Sequence, residues 1–231
     1  MSGDLRAVLF DAAGTLIELR EPVGETYSRL AADYGVELSA WRIGEAFGRV
    51  FRAAPLMVFP GEAPERIPGL ERDWWRALVR AAFRAADGTA RFSDFEAYFE
   101  RLYAHFASPD TWRATPESGE MLAELRRRGL VTAIVSNFDR RLHRILEGLG
   151  LSPLFDAVVL PSDAGAAKPD PRIFAFALER VGSCAAATLF VGDDRDRDLA
   201  GARCAGLRAI EVQSLATLAE LPDRLEALPQ E

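Results

Sequence analysis

From Thr115 onward, short apolar runs alternate with segments of helical spacing, and this alternation restricts the possible folds more than anything else in the chain. A helix from Glu117 to Arg128, with Thr115 read as its cap and Pro116 as its first position, leads through Gly129 to an apolar strand, Leu130 to Val135. A helix from Asp139 to Leu149 precedes a strand near Ala157 to Leu160. Asp170 and Pro171 open a helix to about Arg180, followed by the strand Ala187 to Val191, the helix Arg195 to Ala205 and the strand Leu207 to Val212. Strands this continuously apolar need cover on both faces, which predicts an α/β fold with a doubly wound parallel sheet. Leu5 to Phe10 is a further apolar strand, ending at Asp11. It needs partners of the same kind and is placed in that sheet.

Between Pro22 and Trp112 the pattern turns helical. Tyr27, Leu30, Ala31 and Tyr34 share one helical face, as do Ile43, Ala46, Phe47, Val50 and Phe51. The stretch rich in Pro and Gly from Pro55 to Gly69 reads as a loop between helices. The expected organisation is a Rossmann-like core of residues 1–17 and 113–231, interrupted by an α-helical insertion of residues 18–112.

Composition removes several functions. Two cysteines (Cys184, Cys204) and two histidines (His105, His143) do not form a zinc set by their spacing. They read as ordinary surface or packing residues, the cysteines near the sheet. A net charge of −7 argues against a nucleic-acid partner. No window reaches the roughly 18 apolar residues of a membrane span. Met1-Ser2-Gly3-Asp4 has neither the basic region nor the long apolar stretch of a leader. No membrane partner and a cytoplasmic location are therefore expected.

In doubly wound sheets, ligands bind beyond the carboxyl ends of the strands. Those ends carry Asp11, then Ser136 and Asn137, then Lys168 on a loop before a helix, then Gly192-Asp193-Asp194 with Asp198 four residues further on. Taken singly, an Asp after a strand is an ordinary turn or cap residue. In this order the set resembles the haloacid dehalogenase-like hydrolase superfamily, and the insertion after the first strand is similar to the helical cap of its subfamily I. The segments 19–25, Trp74-Trp75, Ile134–Leu142 and Lys168–Phe174 resemble the haloacid dehalogenase-like hydrolase domain-containing protein 3 group.

The resemblance implies a phosphatase-type hydrolase acting on a small phosphate ester. Asp11 is then the expected nucleophile, attacking phosphorus to give an aspartyl-phosphate. Asp11, the main-chain carbonyl at Ala13, Asp193, and Asp198 or Asp194 form the expected oxygen ligands of Mg²⁺. Lys168 supplies a positive charge, while Ser136 and the Asn137 amide are expected to donate to a phosphate oxygen. Gly14 and Gly192 are expected where backbone must pass close to the site.

One position departs from the pattern. The superfamily's phosphatases usually place a general acid two residues after the nucleophile, where this chain has Ala13. Glu18 is one nearby carboxylate. The same feature brings 2-haloacid dehalogenases forward, since halide leaves without a proton; Arg42, Arg49 and Arg52 of the insertion are candidate binders for either anion, phosphate or carboxylate. A third reading is a metal- and phosphate-binding interaction protein of low turnover. Trp74 and Trp75, adjacent on a helix, project about 100° apart, so one is expected in the helical core.

Overall fold

A computed structural model describes residues 5–226. The segment Met1–Asp4, read above as lacking a leader, lies outside them. In chain order, β1 (Ala7–Phe10) and β2 (Ile17–Leu19) are followed by α1 (Val23–Ala32), α2 (Ala40–Ala53), α3 (Ile67–Ala86), α4 (Phe95–Ala107) and β3 (Trp112–Ala114). Then come α5 (Ser118–Arg127), β4 (Val131–Val135), α6 (Arg141–Gly148), β5 (Ala157–Val159) and α7 (Pro161–Ala164). The chain continues through α8 (Pro171–Val181), β6 (Thr188–Gly192), α9 (Gly201–Cys204), β7 (Arg208–Glu211) and α10 (Leu221–Glu226).

Five strands form one parallel sheet in the order β5-β4-β1-β6-β7. β1 lies in the middle, with Phe10 opposite Ile134 of β4 and Val191 of β6. From β1 the chain builds outward through β4 and β5, then returns to the other side of β1 for β6 and β7. This reversal of strand order opens a crevice at the carboxyl ends of β1 and β6.

Alternate residues of the central strands face opposite ways, and both sets are buried. Leu9, Ala133, Val135, Val159 and Phe190 pack with Ile173, Phe174 and Ala177 of α8 and Ala202 of α9. Val8, Phe10, Ile134, Leu189 and Val191 on the opposite face are also fully buried. The nearly unbroken apolar strands of the sequence have this two-sided cover as their cause.

Tertiary contacts divide the chain into two compact units. One comprises, among the described residues, 5–18, the segment Val58–Gly61 and 113–226. The other comprises Leu19–Met57 and Glu62–Trp112. The chain passes between them along the two-stranded ribbon of β2 and β3. The second unit has its own core, in which Tyr27, Ile43, Val79, Phe83, Tyr98, Phe99 and Leu102 are buried, with Trp75 packed against them. Trp74 meets Trp75 edge to face and donates its indole N–H to the Pro55 carbonyl.

Some boundaries differ from the expected ones. α5 starts at Ser118, with Glu117 at φ 66° before it. The Thr115 amide is bonded to the Leu16 carbonyl, which holds Thr115 extended next to the ribbon and puts Pro116 in a turn instead of a first helical position. α3 begins inside the expected loop, because Pro68 falls in the first turn, where a helix needs no N–H. The helix expected from Arg195 to Ala205 is a wide π-type turn over Arg195–Ala200 followed by α9.

The packing of α8 on the sheet yields a measurable expectation. Phe174 is fully buried and meets Phe190 edge to face at 5.3 Å. Phe174→Ala should cost about 3–5 kcal/mol in the sheet unit. Denaturant titration followed by far-UV circular dichroism measures this, and a loss below about 1 kcal/mol would refute the packing described.

Candidate active site

Each strand end delivers its side chain to the crevice. Asp11 follows β1, and its amide bonds the Val191 carbonyl of β6, which fixes where the strand stops. Beyond it the chain folds back on itself: Leu16 and Ile17 donate to the Ala12 carbonyl, and Gly14 donates to that of Ile17. Among the described residues, nothing donates to the Ala13 carbonyl. Gly14 has φ +94°, and a Cβ there would lie 2.5 Å from Asp193 Oδ2. A Cβ on Gly192 would run into the Asp198 carboxylate. Both glycines are thus required by close approach of backbone to the acidic groups.

The centre of the site is an ammonium held by two carboxylates. Lys168 Nζ lies 2.6 Å from Asp11 Oδ1 and 2.5 Å from Asp198 Oδ1, and the lysine is 2% exposed. Burial by itself would push the Lys168 pKa down. Asp11 and Asp198 more than offset this and hold it above the usual lysine range. Asp198 Oδ2 accepts the amide N–H groups of Asp193 and Asp194, at 3.2 and 3.1 Å. Asp198 therefore ties the lysine to the loop after β6.

Asp11, Asp193 and Asp198 each offer a carboxylate oxygen within 4.8 Å of the others. Asp193 is pushed up to about 6, first by burial and then by the charges of Asp11 and Asp198. Burial, opposed by Lys168, likewise raises Asp198. One lysine facing three crowded carboxylates leaves an excess of negative charge. The donors are hard oxygens, so the group fits a hard divalent cation.

The other expected site residues divide. Ser136 directly follows β4, is buried, and its amide bonds the Val159 carbonyl of β5. Asn137 has a task that spacing did not suggest. Its Oδ1 accepts the Lys168 N–H at 2.8 Å, and its Nδ2 donates to the Lys168 carbonyl at 2.9 Å. The side chain clasps the peptide carrying the lysine. The next turn is braced by Asp139, fully buried and paired with Arg141.

Asp194, expected as an alternative ligand, stands outside the group of three. Its Oδ1 accepts the amides of Asp196 and Arg197, both at 2.9 Å, so it caps the following turn. Glu18 is bonded to Arg113 at 2.7 Å. Arg42, Arg49 and Arg52 are exposed, as is His143, while His105 is half-buried against Phe106. Cys184 and Cys204 are free and exposed.

A family model described as haloacid dehalogenase-like hydrolase matches residues 5–206. The chain belongs to the haloacid dehalogenase-like hydrolase family. It is 38% identical, over 98% of its length and 88% of the relative's, to haloacid dehalogenase-like hydrolase domain-containing protein 3 of Bos taurus. It is 31% identical to a phosphoserine phosphatase of Thermus thermophilus, over 90% of this chain and 88% of that one. A solved dehalogenase structure superposes with a TM-score of 0.66 at 26% identity, covering 95% of this chain and 96% of that chain. This hydrolase thus has relatives of both chemistries that the sequence left open. Among the described residues, no helix is long and apolar enough to cross a membrane.

The crowding of carboxylates can be tested in the hydrolase without a substrate. With chelator present at pH 7, Asp193→Asn should raise stability by about 1 kcal/mol, after allowance for solvent screening at this partly exposed group, or roughly 2–4 °C in Tm. A clear fall in Tm on differential scanning fluorimetry would mean that Asp193 is stabilised where it stands and would remove the repulsion from the description.

Proposed function

We propose that the protein is a Mg²⁺-dependent, phosphatase-type hydrolase of small phosphorylated molecules, working through an aspartyl-phosphate on Asp11. The observation that carries this reading is the set of three carboxylates gathered around Lys168 where β1 and β6 end. Asp11, Asp193 and the Ala13 carbonyl are the proposed ligands, with Asp198 assisting. When bound, the cation would offset the repulsion between carboxylate and phosphate and polarise a phosphoryl oxygen. The helical unit inserted after β1 would serve as the cap that bounds the substrate.

The steps assigned to this chain's own residues are few. One Asp11 oxygen is held by Lys168, which leaves the other to attack phosphorus in line. The P–O bond to the leaving group breaks as the aspartyl O–P bond forms. Ser136 and the Asn137 amide would donate to a phosphoryl oxygen. Water then attacks the phosphorus of the aspartyl-phosphate, which releases inorganic phosphate and restores Asp11. Ala13 can neither protonate the departing oxygen nor deprotonate the water. Such acid-base help is worth about 10²–10⁴ in rate. The substrates favoured are those whose leaving group departs as a stable anion, such as aryl and acyl phosphates.

The dehalogenase reading is favoured by Ala13 and by the likeness to a dehalogenase structure. Against it, three carboxylates with a single lysine would repel a haloacid's own carboxylate. A panel of aryl phosphates, alkyl phosphates and 2-haloacids, with and without Mg²⁺, separates the readings. Phosphate release should require Mg²⁺, favour aryl over alkyl esters by at least about 10², and vanish in Asp11→Asn. Halide release independent of Mg²⁺ would establish the dehalogenase. Metal-dependent formation of an aspartyl-phosphate without release would favour the binding protein.

A gain of function should follow from restoring the missing group. Ala13→Asp places a carboxylate two residues from Asp11, on a half-buried position of the turn. Alkyl phosphate hydrolysis should rise by a good part of about 10²–10⁴. A folded, Mg²⁺-binding Ala13→Asp variant with unchanged phosphate release would refute the idea of a phosphatase site short of one acid.

A further inference from the structure

The helical unit contains a cavity of about 590 Å³ at the end of α3 and the start of α4, a volume in the range of small-molecule sites. Its wall combines two kinds of side chain. Phe83, Phe92 and Phe95 form an aromatic row, meeting edge to face at 4.8 and 5.3 Å. Arg80, Arg84 and Arg91 line the same cavity. Their charges are not equivalent. Arg80 lies over the Phe95 ring at 3.9 Å and pairs with Glu96 at 2.9 Å, so it is already engaged. Arg91 donates only to the main-chain carbonyls of Gly88 and Ala90, and Arg84 is exposed. Among the described residues, neither has a carboxylate at ion-pair distance.

The carboxylate on this wall is itself spoken for. Asp87 accepts from the Thr89 amide and hydroxyl at 2.8 and 2.6 Å and faces Arg42 at 3.8 Å. These bonds hold the Asp87–Thr89 turn, and Ser93 bonds the Tyr34 carbonyl at the other end of the loop. The cavity is therefore formed before any ligand arrives. Asp87 also feels the Arg91 charge, but among the described residues neither Arg84 nor Arg91 has a carboxylate at ion-pair distance, and two such guanidinium groups next to an aromatic row match one chemical class.

We propose that this cavity binds a small anion built on an aromatic ring, with Arg84 and Arg91 taking the anionic group and the ring packing against Phe92 and Phe95. The site shares no residue with the Asp11 group and does not depend on the reaction proposed there. Guanidinium groups suit carboxylate, sulfonate and phosphate alike, because their paired N–H donors match two oxygens.

The test uses 2-naphthalenesulfonate, which hydrolysis does not alter, titrated into the full chain by isothermal calorimetry. Saturable binding at one site is expected. The Arg84→Gln/Arg91→Gln double variant should weaken it at least about tenfold, since charge-assisted hydrogen bonds are lost. Both side chains are exposed, so the fold should persist, which far-UV circular dichroism checks. Methanesulfonate, lacking the ring, and 2-naphthol, lacking the charge, should each bind at least about tenfold more weakly. Asp193→Asn, which keeps the Lys168 pairs with Asp11 and Asp198, should bind the probe as the wild type does. Equal affinity in the double variant, loss of binding in Asp193→Asn, or no saturable binding at millimolar probe would each overturn the proposal.

Discussion

A buried ammonium shared by two carboxylates is the constraint around which the sheet unit is organised. An isolated lysine at 2% exposure would be strongly disfavoured as a cation, and Lys168 stays charged because Asp11 and Asp198 sit within 2.6 Å. Removing either partner would leave an uncompensated charge in the interior. The surrounding geometry follows from keeping the three in place. Asn137 grips the Lys168 peptide, two amides hold Asp198, and glycine at 14 and 192 lets the two loops approach. β1 in the centre of the sheet gives all these loops a common floor.

The same constraint explains why the sheet and most of the site were legible in the sequence. Strands buried on both faces must be apolar throughout, so the runs at 130–135 and 187–191 mark themselves, and a charged residue directly after such a run must lie at its open end. What stayed hidden was the use made of each polar group. Asn137 has the same position whether its amide meets a ligand or its side chain clasps Lys168, and only the path of the distant loop decides between them. Asp193 and Asp194 are neighbours of the same chemistry, yet one faces Asp11 and the other caps a turn. Helix starts were misplaced for a related reason. Thr115 and Pro116 carry a local cap signal, but the Thr115 amide is bonded to Leu16, almost a hundred residues earlier in the chain.

The helical unit illustrates the opposite case, where local pattern gives the core but not the surface chemistry. Periodicity identified Tyr27, Ile43 and their neighbours because core positions recur on one face. Arginines on the same helices look alike in sequence. In the fold, Arg76 and Arg80 share Glu96 and Arg101 pairs with Asp33, while among the described residues Arg84 has no such partner. The difference lies in which carboxylates the other helices bring alongside, and helical spacing does not encode that.

Ala13 separates two tasks that a phosphoryl-transfer site must perform. In the proposed reaction, charge compensation from Lys168 and from a cation held by the acidic group would govern attack at phosphorus. Proton delivery governs the departing oxygen, and nothing at position 13 can perform it. Glu18, the next carboxylate along the chain, is bound to Arg113. A barrier with its electrostatic part met and its proton-transfer part unmet depends on the basicity of the leaving group far more steeply than one with both parts met. Selectivity in the proposed reaction would then begin at the bond being broken. Substrates reaching this site would be sorted first by how well their leaving oxygen carries a negative charge, and only then by shape.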